Sequence, residues 1–174
     1  MALRQIRTEG DRVLTKKSRP VDKMTPKLKE LINDMLETMY DAYGVGLAAP
    51  QVGILKRIVV IDVALPDEEG NFEPDPHILI NPEIVESSGE QTGDEGCLSV
   101  PGMSGTVTRP QKVRVRALNE EMEPIEFEAE DLFARACCHE IDHLEGILYT
   151  SLVEGELRAV GSSEEETEAE QPEL

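Results

Sequence analysis

The sequence has no tryptophan, and only three phenylalanines and three tyrosines in 174 residues. A core must therefore be built from aliphatic side chains, and Leu, Ile and Val are plentiful. No apolar run approaches the roughly 20 residues that a membrane-spanning helix needs, so no membrane partner is expected. No long apolar stretch follows the first positive charges in Met1-Ala2-Leu3-Arg4-Gln5-Ile6-Arg7. No export signal is evident, and a cytoplasmic protein is expected. Three cysteines, an odd number in such a chain, argue against a disulfide framework and leave metal ligation or buried thiols. Positive charge is short too: 17 Lys and Arg face 36 Asp and Glu, a net of −19. Such a field disfavours nonspecific nucleic-acid binding, and no specific nucleic-acid partner is expected. From Glu154 onward, eight Glu and one Arg carry −7, which leaves −12 for residues 1–153. The body is acidic in its own right.

Two of the only three histidines lie in Cys137-Cys138-His139-Glu140-Ile141-Asp142-His143-Leu144-Glu145-Gly146. On a helix, residues four apart share a face, so His139 and His143 can direct both imidazoles at one metal ion. Glu140 follows the first histidine directly and can reach water at that ion without ligating it. This is the pattern of metal-dependent amide hydrolysis. The alternative is two surface histidines paired with carboxylates on an ordinary helix. Extended further, the spacing reaches Tyr149 where metzincin proteases place a third His. A phenol neutral at pH 7 is a poor ligand, so Tyr149 reads more simply as an amphipathic residue in the following strand or loop.

Residues 1–24 read as an extended arm with a short strand or turn. Thr25 is a candidate N-cap with Pro26 at the first helical position. Leu28, Leu31, Ile32, Met35, Leu36 and Met39 then repeat at helical spacing, and Gly44 is placed to end that helix in a left-handed conformation. Gly44-Val45-Gly46-Leu47-Ala48-Ala49-Pro50-Gln51-Val52-Gly53 contains Gly-x-Gly-x-x-Ala. A dinucleotide site needs a strand before that pattern and a helix after it, and here the order fails. Gln51 has two readings: a buried amide bonded to local backbone, or a donor aimed into a site. Arg57 to Val63 is β-branched and reads as a buried strand. Pro66 to Pro76 is a surface loop, and a strand begins at His77. His77 has no partner spacing and is expected to be structural or exposed. Cys97 lies among turn-forming residues, Gly93 to Gly102. By default it is a small buried hydrophobe, but the two histidines lack a third ligand, and His2Cys with one open position is an accepted catalytic set. Gln111–Asn119 and Pro124–Glu130 alternate strictly and form a hairpin. Asp131 is a candidate N-cap for the histidine helix, which runs to about Leu144 with Gly146 just past its end. Leu132, Phe133, Ala136, Cys137, Ile141 and Leu144 face the sheet, and Cys137 and Cys138 read as core thiols. After Leu152 the hydrophobic period is lost. Residues 1–153 form one domain, and 154–174 an acidic tail, disordered from Gly161.

Gly44-Val45-Gly46-Leu47-Ala48-Ala49-Pro50-Gln51, Glu95-Gly96-Cys97-Leu98-Ser99 and His139-Glu140-Ile141-Asp142-His143, in that order, resemble the three motifs of the peptide deformylase family. The likeness spans roughly residues 3–153. It implies an α+β fold, with partly open antiparallel β-sheets packed around a central metal-binding helix and an N-terminal helix. It implies removal of the formyl group from N-formyl-methionyl nascent polypeptides, with release of formate. By motif position, Cys97, His139 and His143 hold the metal and Glu140 is base and then acid. Gln51 and the N–H of Leu98 stabilise the oxyanion, and Val45, Gly46 and Gly96 bind the substrate as an added strand. The resemblance implies one divalent ion, usually Fe(II), with Zn, Ni or Co able to replace it. Ser104 stands where members often carry Arg or Tyr, so a side-chain grip on the peptide beyond methionine is absent or replaced. Some members dock on the ribosome through a basic C-terminal helix. An acidic tail does not support that association, since rRNA repels it. A general metallopeptidase and a noncatalytic metal-binding domain are the competing readings.

Overall fold

A computed structural model describes residues 2–160 and Leu174. Thr25 caps the first helix as the sequence suggests. Its hydroxyl accepts the Leu28 N–H at 3.2 Å, and α1 runs Pro26–Asp41. Eight strands follow: β1 (Gly46–Ala48), β2 (Ile58–Ile61), β3 (His77–Ser88), β4 (Gln91–Cys97), β5 (Val100–Arg109), β6 (Lys112–Leu118), β7 (Pro124–Glu130) and, after α2 (Asp131–Leu144), β8 (Glu154–Ala159). They form two antiparallel sheets, one ordered β1-β2-β3-β6-β7 and one ordered β4-β5-β8. This is the α+β, open-sheet architecture that the motifs imply.

Strand β2 shows why its sequence is a continuous β-branched run. Val59 and Ile61 belong to the cluster that includes Ala136, Cys137, Ile141 and Leu144 of α2. Ile58 and Val60 belong to a second cluster with Leu31, Ile32, Met35 and Met39 of α1. A strand covered on both faces has no polar side to alternate with. Met35 and Met39 are fully buried filler, as expected. Helix α2 lies between sheets. Its residues 134–141, 143 and 144 are all buried. The smaller sheet closes over a third cluster of Cys97, Val100, Val107 and Tyr149.

Several local expectations are corrected. Tyr43, not Gly44, takes the left-handed position after α1, at φ 57°. The Gly44 N–H returns to Met39 O at 3.0 Å and the Tyr43 N–H to Tyr40 O at 3.1 Å, so the stop is a Schellman motif with a non-glycine residue in it. Asp131 is the first residue of α2 and Glu130 holds the cap position without a side-chain cap bond. At the other end Gly146 does sit just past the helix, at φ 75°. An added Cβ there would lie 2.6 Å from the backbone of Thr15. The N-terminal arm thus crosses the end of α2, where the Ser18 N–H donates to Leu144 O at 2.9 Å.

Past residue 153 the described chain continues in regular structure. Glu154–Ala159 is a strand, paired with β5 through Met103↔Ala159, Ser104↔Arg158 and Thr106↔Glu154. It is an edge strand exposed on both faces except at half-buried Leu157, so it carries no alternating apolar signal. The disorder expected from Gly161 falls on residues 161–173, outside the described residues. Leu174 is described, and it is buried.

Candidate metal centre and active site

The helical spacing works as expected. His139 and His143 lie one turn apart on α2, with ring centroids 5.0 Å apart. Cys97 comes from the last residue of β4, not from an irregular loop. One donor atom each from Cys97, His139 and His143 lies within 4.8 Å of the others, and all three residues are buried. Cys97 Sγ is 3.5 Å from His143 Nε2.

The surroundings fit a metal ion. His139 Nδ1 is 2.8 Å from Glu95 Oε1. An ionised carboxylate only accepts, so Nδ1 carries the proton and Nε2 keeps a lone pair. That Nε2 is buried with no hydrogen-bond partner among the described residues, a costly state for a polar atom unless something coordinates it. Burial, with His139 and Arg109 nearby, pushes His143 well below the ordinary histidine range. The neutral imidazole so favoured is the form that ligates.

Glu140 is fully buried beside these donors. Its Oε1 is 3.8 Å from His139 Nε2, and neither carboxylate oxygen has a hydrogen-bond partner among the described residues. Burial, and next the Glu95 charge, pushes its carboxyl well above the usual carboxylate range. Gly46 of β1 packs directly on it: a Cβ at Gly46 would sit 2.9 Å from the Glu140 carboxyl carbon. Glycine is needed here for close approach to the acid.

Gln51 is a buried amide bonded to nearby groups, beside the candidate ligand Cys97. Its Oε1 accepts the Ala48 N–H at 2.9 Å, which fixes the amide. Its Nε2 then faces Ser99 Oγ at 3.0 Å and Cys97 Sγ at 3.6 Å. The Leu98 N–H lies in the turn after β4 and donates to Leu174 O at 3.0 Å. Gly96 falls where the β4–β5 register shifts between Glu95 and Cys97. Val45 precedes β1, and its carbonyl accepts the Asp62 N–H at 2.8 Å. Strands β1 and β4 are each an edge of their sheet.

Other residues fell where the sequence reading put them. Cys137 and Cys138 are buried, and burial pushes the Cys138 thiol up to about 11, which marks it as a core thiol. His77 packs on Phe133 with centroids 4.7 Å apart, a structural role. Tyr149 is not amphipathic in its setting: it is 1% exposed, and its ring stacks on His139 at 5.9 Å.

Sequence reasoning missed the charged cluster behind His139. Arg109 grips Glu95 with two bonds, Nε to Oε2 at 2.8 Å and Nη2 to Oε1 at 3.0 Å. Arg135 Nη1 donates to Glu95 Oε2 at 2.6 Å, and Arg109 Nη1 to Asp142 at 2.7 Å. Burial alone would raise the Glu95 carboxyl, but the bonds from His139 and Arg109 hold it far below its ordinary value. Spacing hints at two of its members but not at Arg109 or at their meeting. Arg135 precedes His139 by one helical turn, and Glu95 shares a strand face with Cys97.

A family model described as polypeptide deformylase matches residues 3–158. A peptide deformylase of Lachnoclostridium phytofermentans is 61% identical over 168 residues, 97% of this chain and 99% of the relative. A peptide deformylase structure from Legionella pneumophila superposes with a TM-score of 0.80 at 45% identity, over 87% of this chain and 86% of that one. A Met-Ala-Ser-bound peptide deformylase from Acinetobacter baumannii does so with 0.80 at 34% identity, over 87% and 98%. On sequence and on fold, the chain belongs to the peptide deformylase family, hydrolases that remove the N-formyl group from new polypeptides.

Proposed function

We propose that this chain carries out the family's hydrolysis with one divalent ion held by Cys97, His139 and His143. The observation that carries the reading is the buried convergence of these three donors beside Glu140. A thiolate with two imidazoles suits Fe(II), the expected resident, and also Zn, Ni or Co. When bound, such an ion makes water nucleophilic near neutral pH and polarises an amide carbonyl.

Glu140 takes a proton as water adds to the formyl carbon and passes it to the departing amine, leaving formate. A carboxyl raised by burial suits that task, because it holds a proton between two steps. Gln51 Nε2 and the Leu98 N–H donate to the developing oxyanion, each worth about 3–4 kcal/mol in the transition state. Val45, Gly46 and Gly96 bind the peptide backbone as an added strand. The free edges of β1 and β4 support this, since an extended peptide can pair there. The Met-Ala-Ser-bound relative supports a methionine at the first position. Formyl-methionyl chains are made in the cytoplasm, and no described helix is long and apolar enough to cross a membrane. Ribosome association is not supported by the acidic tail, which rRNA repels.

The test is formate release from a formyl-methionyl peptide by Fe-loaded protein kept free of oxygen. Turnover is expected, and none with Fe, Ni or Co would sink the assignment. For the roles, Glu140→Ala is expected to keep its metal and lose nearly all turnover. Cys97→Ala is expected to weaken metal binding, and unchanged affinity would remove Cys97 from the ligand set.

A further inference from the structure

Leu174 is the one described residue beyond Val160. It is 2% exposed and joins the apolar cluster that holds Val45, Ala48 and Cys138. It lines a cavity of about 300 Å³ with Gly93, Glu95, Leu132 and Arg135, between β4 and α2. Its carbonyl oxygen takes the Leu98 N–H at 3.0 Å. That N–H is one of the two donors assigned above to the oxyanion. A backbone N–H directs one strong bond, so a formyl oxygen and the Leu174 carbonyl cannot both hold it. An aliphatic side chain is also what the cleft must accept from a peptide that begins with methionine. Thirteen residues separate Val160 from Leu174. Fully extended they span about 45 Å, ample for the tail to return to the site of its own chain.

We propose that Leu174 docks in the substrate cleft of its own chain as a competitor of the peptide. Its main-chain oxygen occupies the Leu98 N–H and its side chain packs in the apolar cluster of Val45, Ala48 and Cys138, forming one wall of the cavity. The inference rests on the oxyanion role given to Leu98. It makes the tail a built-in brake that a substrate must displace. A tail docked about 70–90% of the time raises the apparent KM about three- to tenfold, because only the open fraction binds peptide. It leaves kcat unchanged, since saturating peptide displaces it.

The experiment compares the full chain with its Leu174→Asp variant, both metal-loaded, on a formyl-methionyl peptide. The variant is expected to show a KM about three- to tenfold lower at equal kcat. Added peptide Gln-Pro-Glu-Leu, the sequence of residues 171–174, is expected to inhibit the variant competitively. In the zinc form, the Leu98 amide resonance is expected to move on substitution, with cross-peaks between the Leu174 and Leu132 methyls lost. An unchanged KM overturns the proposal, whatever the resonance does. A KM difference that grows with protein concentration overturns docking within one chain. If neither protein deformylates, the functional reading fails, while the resonances still report on docking.

Discussion

Glu95 is the residue on which the site's geometry turns, although the motif reading assigned it no role. It carries the His139 ring on one oxygen and shares both oxygens with Arg109. Replacing it removes an orienting bond from a ligand and leaves two arginines, each about 6% exposed, without their anion. Glu95→Gln is therefore expected to weaken metal affinity about 10–100-fold, measured by competition with a chelator. It is also expected to cost about 3–5 kcal/mol of stability in urea, because breaking a buried ion pair strands its partners. Gly46→Ala makes a sharper test of the acid. The new methyl must displace the Glu140 carboxyl, so kcat is expected to fall at least tenfold while metal content stays intact. Chemistry-bearing residues at fixed offsets were legible in the sequence: the i, i+4 histidines, Glu140 and the lone Cys97. Their orienting partners were not, because Glu95, Arg109 and Arg135 meet only when β4, β5 and α2 pack together.

Among the elements, α1 carries devices at its middle and at its C-terminal stop that can be measured. Asp34 on α1 accepts the Ala2 N–H at 2.8 Å and pairs with Arg4 Nε at 2.9 Å. The backbone bond from Ala2, with help from Arg4, lowers its carboxyl below the usual value. A depressed folded value gives stability that is present above the unfolded pKa and lost as pH falls through the folded one. Asp34→Asn is thus expected to be about 1–2 kcal/mol less stable at pH 7. The gap narrows below about pH 4 and closes once the folded carboxyl is protonated, as pH-dependent denaturation would show. Just past the C-terminal end, Tyr43 holds a left-handed conformation that costs a side chain about 1–2 kcal/mol relative to glycine. It is 88% exposed, so little packing offsets this. Tyr43→Gly is expected to raise stability by about 1 kcal/mol in the same assay. Helices and the β6–β7 hairpin were readable from periodicity, whereas β4 and β8 were not. Gly and charged residues dominate both, and their pairing comes from β5.

Over the whole molecule, the candidate ion would tie the two sheets together at the centre of the fold. Cys97 belongs to the smaller sheet, and the histidines to a helix packed on the larger one. Binding energy at that point is stability for the assembly. At a thousandfold excess over Kd it amounts to about 4 kcal/mol. A chelator is therefore expected to lower Tm by about 8–16 °C, with recovery on adding Ni. Cys97→Ala is expected to lose most of that recovery. The crossing of the N-terminal arm over the end of α2 reaches further, into how the protein is made. Thr15 and Ser18 pack against Gly146 and Leu144. A ribosome adding about 5–20 residues per second needs roughly 6–25 s to go from one to the other. Throughout that interval Ala2, Arg4 and Arg19 can already meet Asp34, Thr38 and Leu55, while Ser18 lacks its acceptor. An enzyme that works on the front ends of unfinished chains thus completes the seating of its own residues 15–18 only after its catalytic helix has been synthesised.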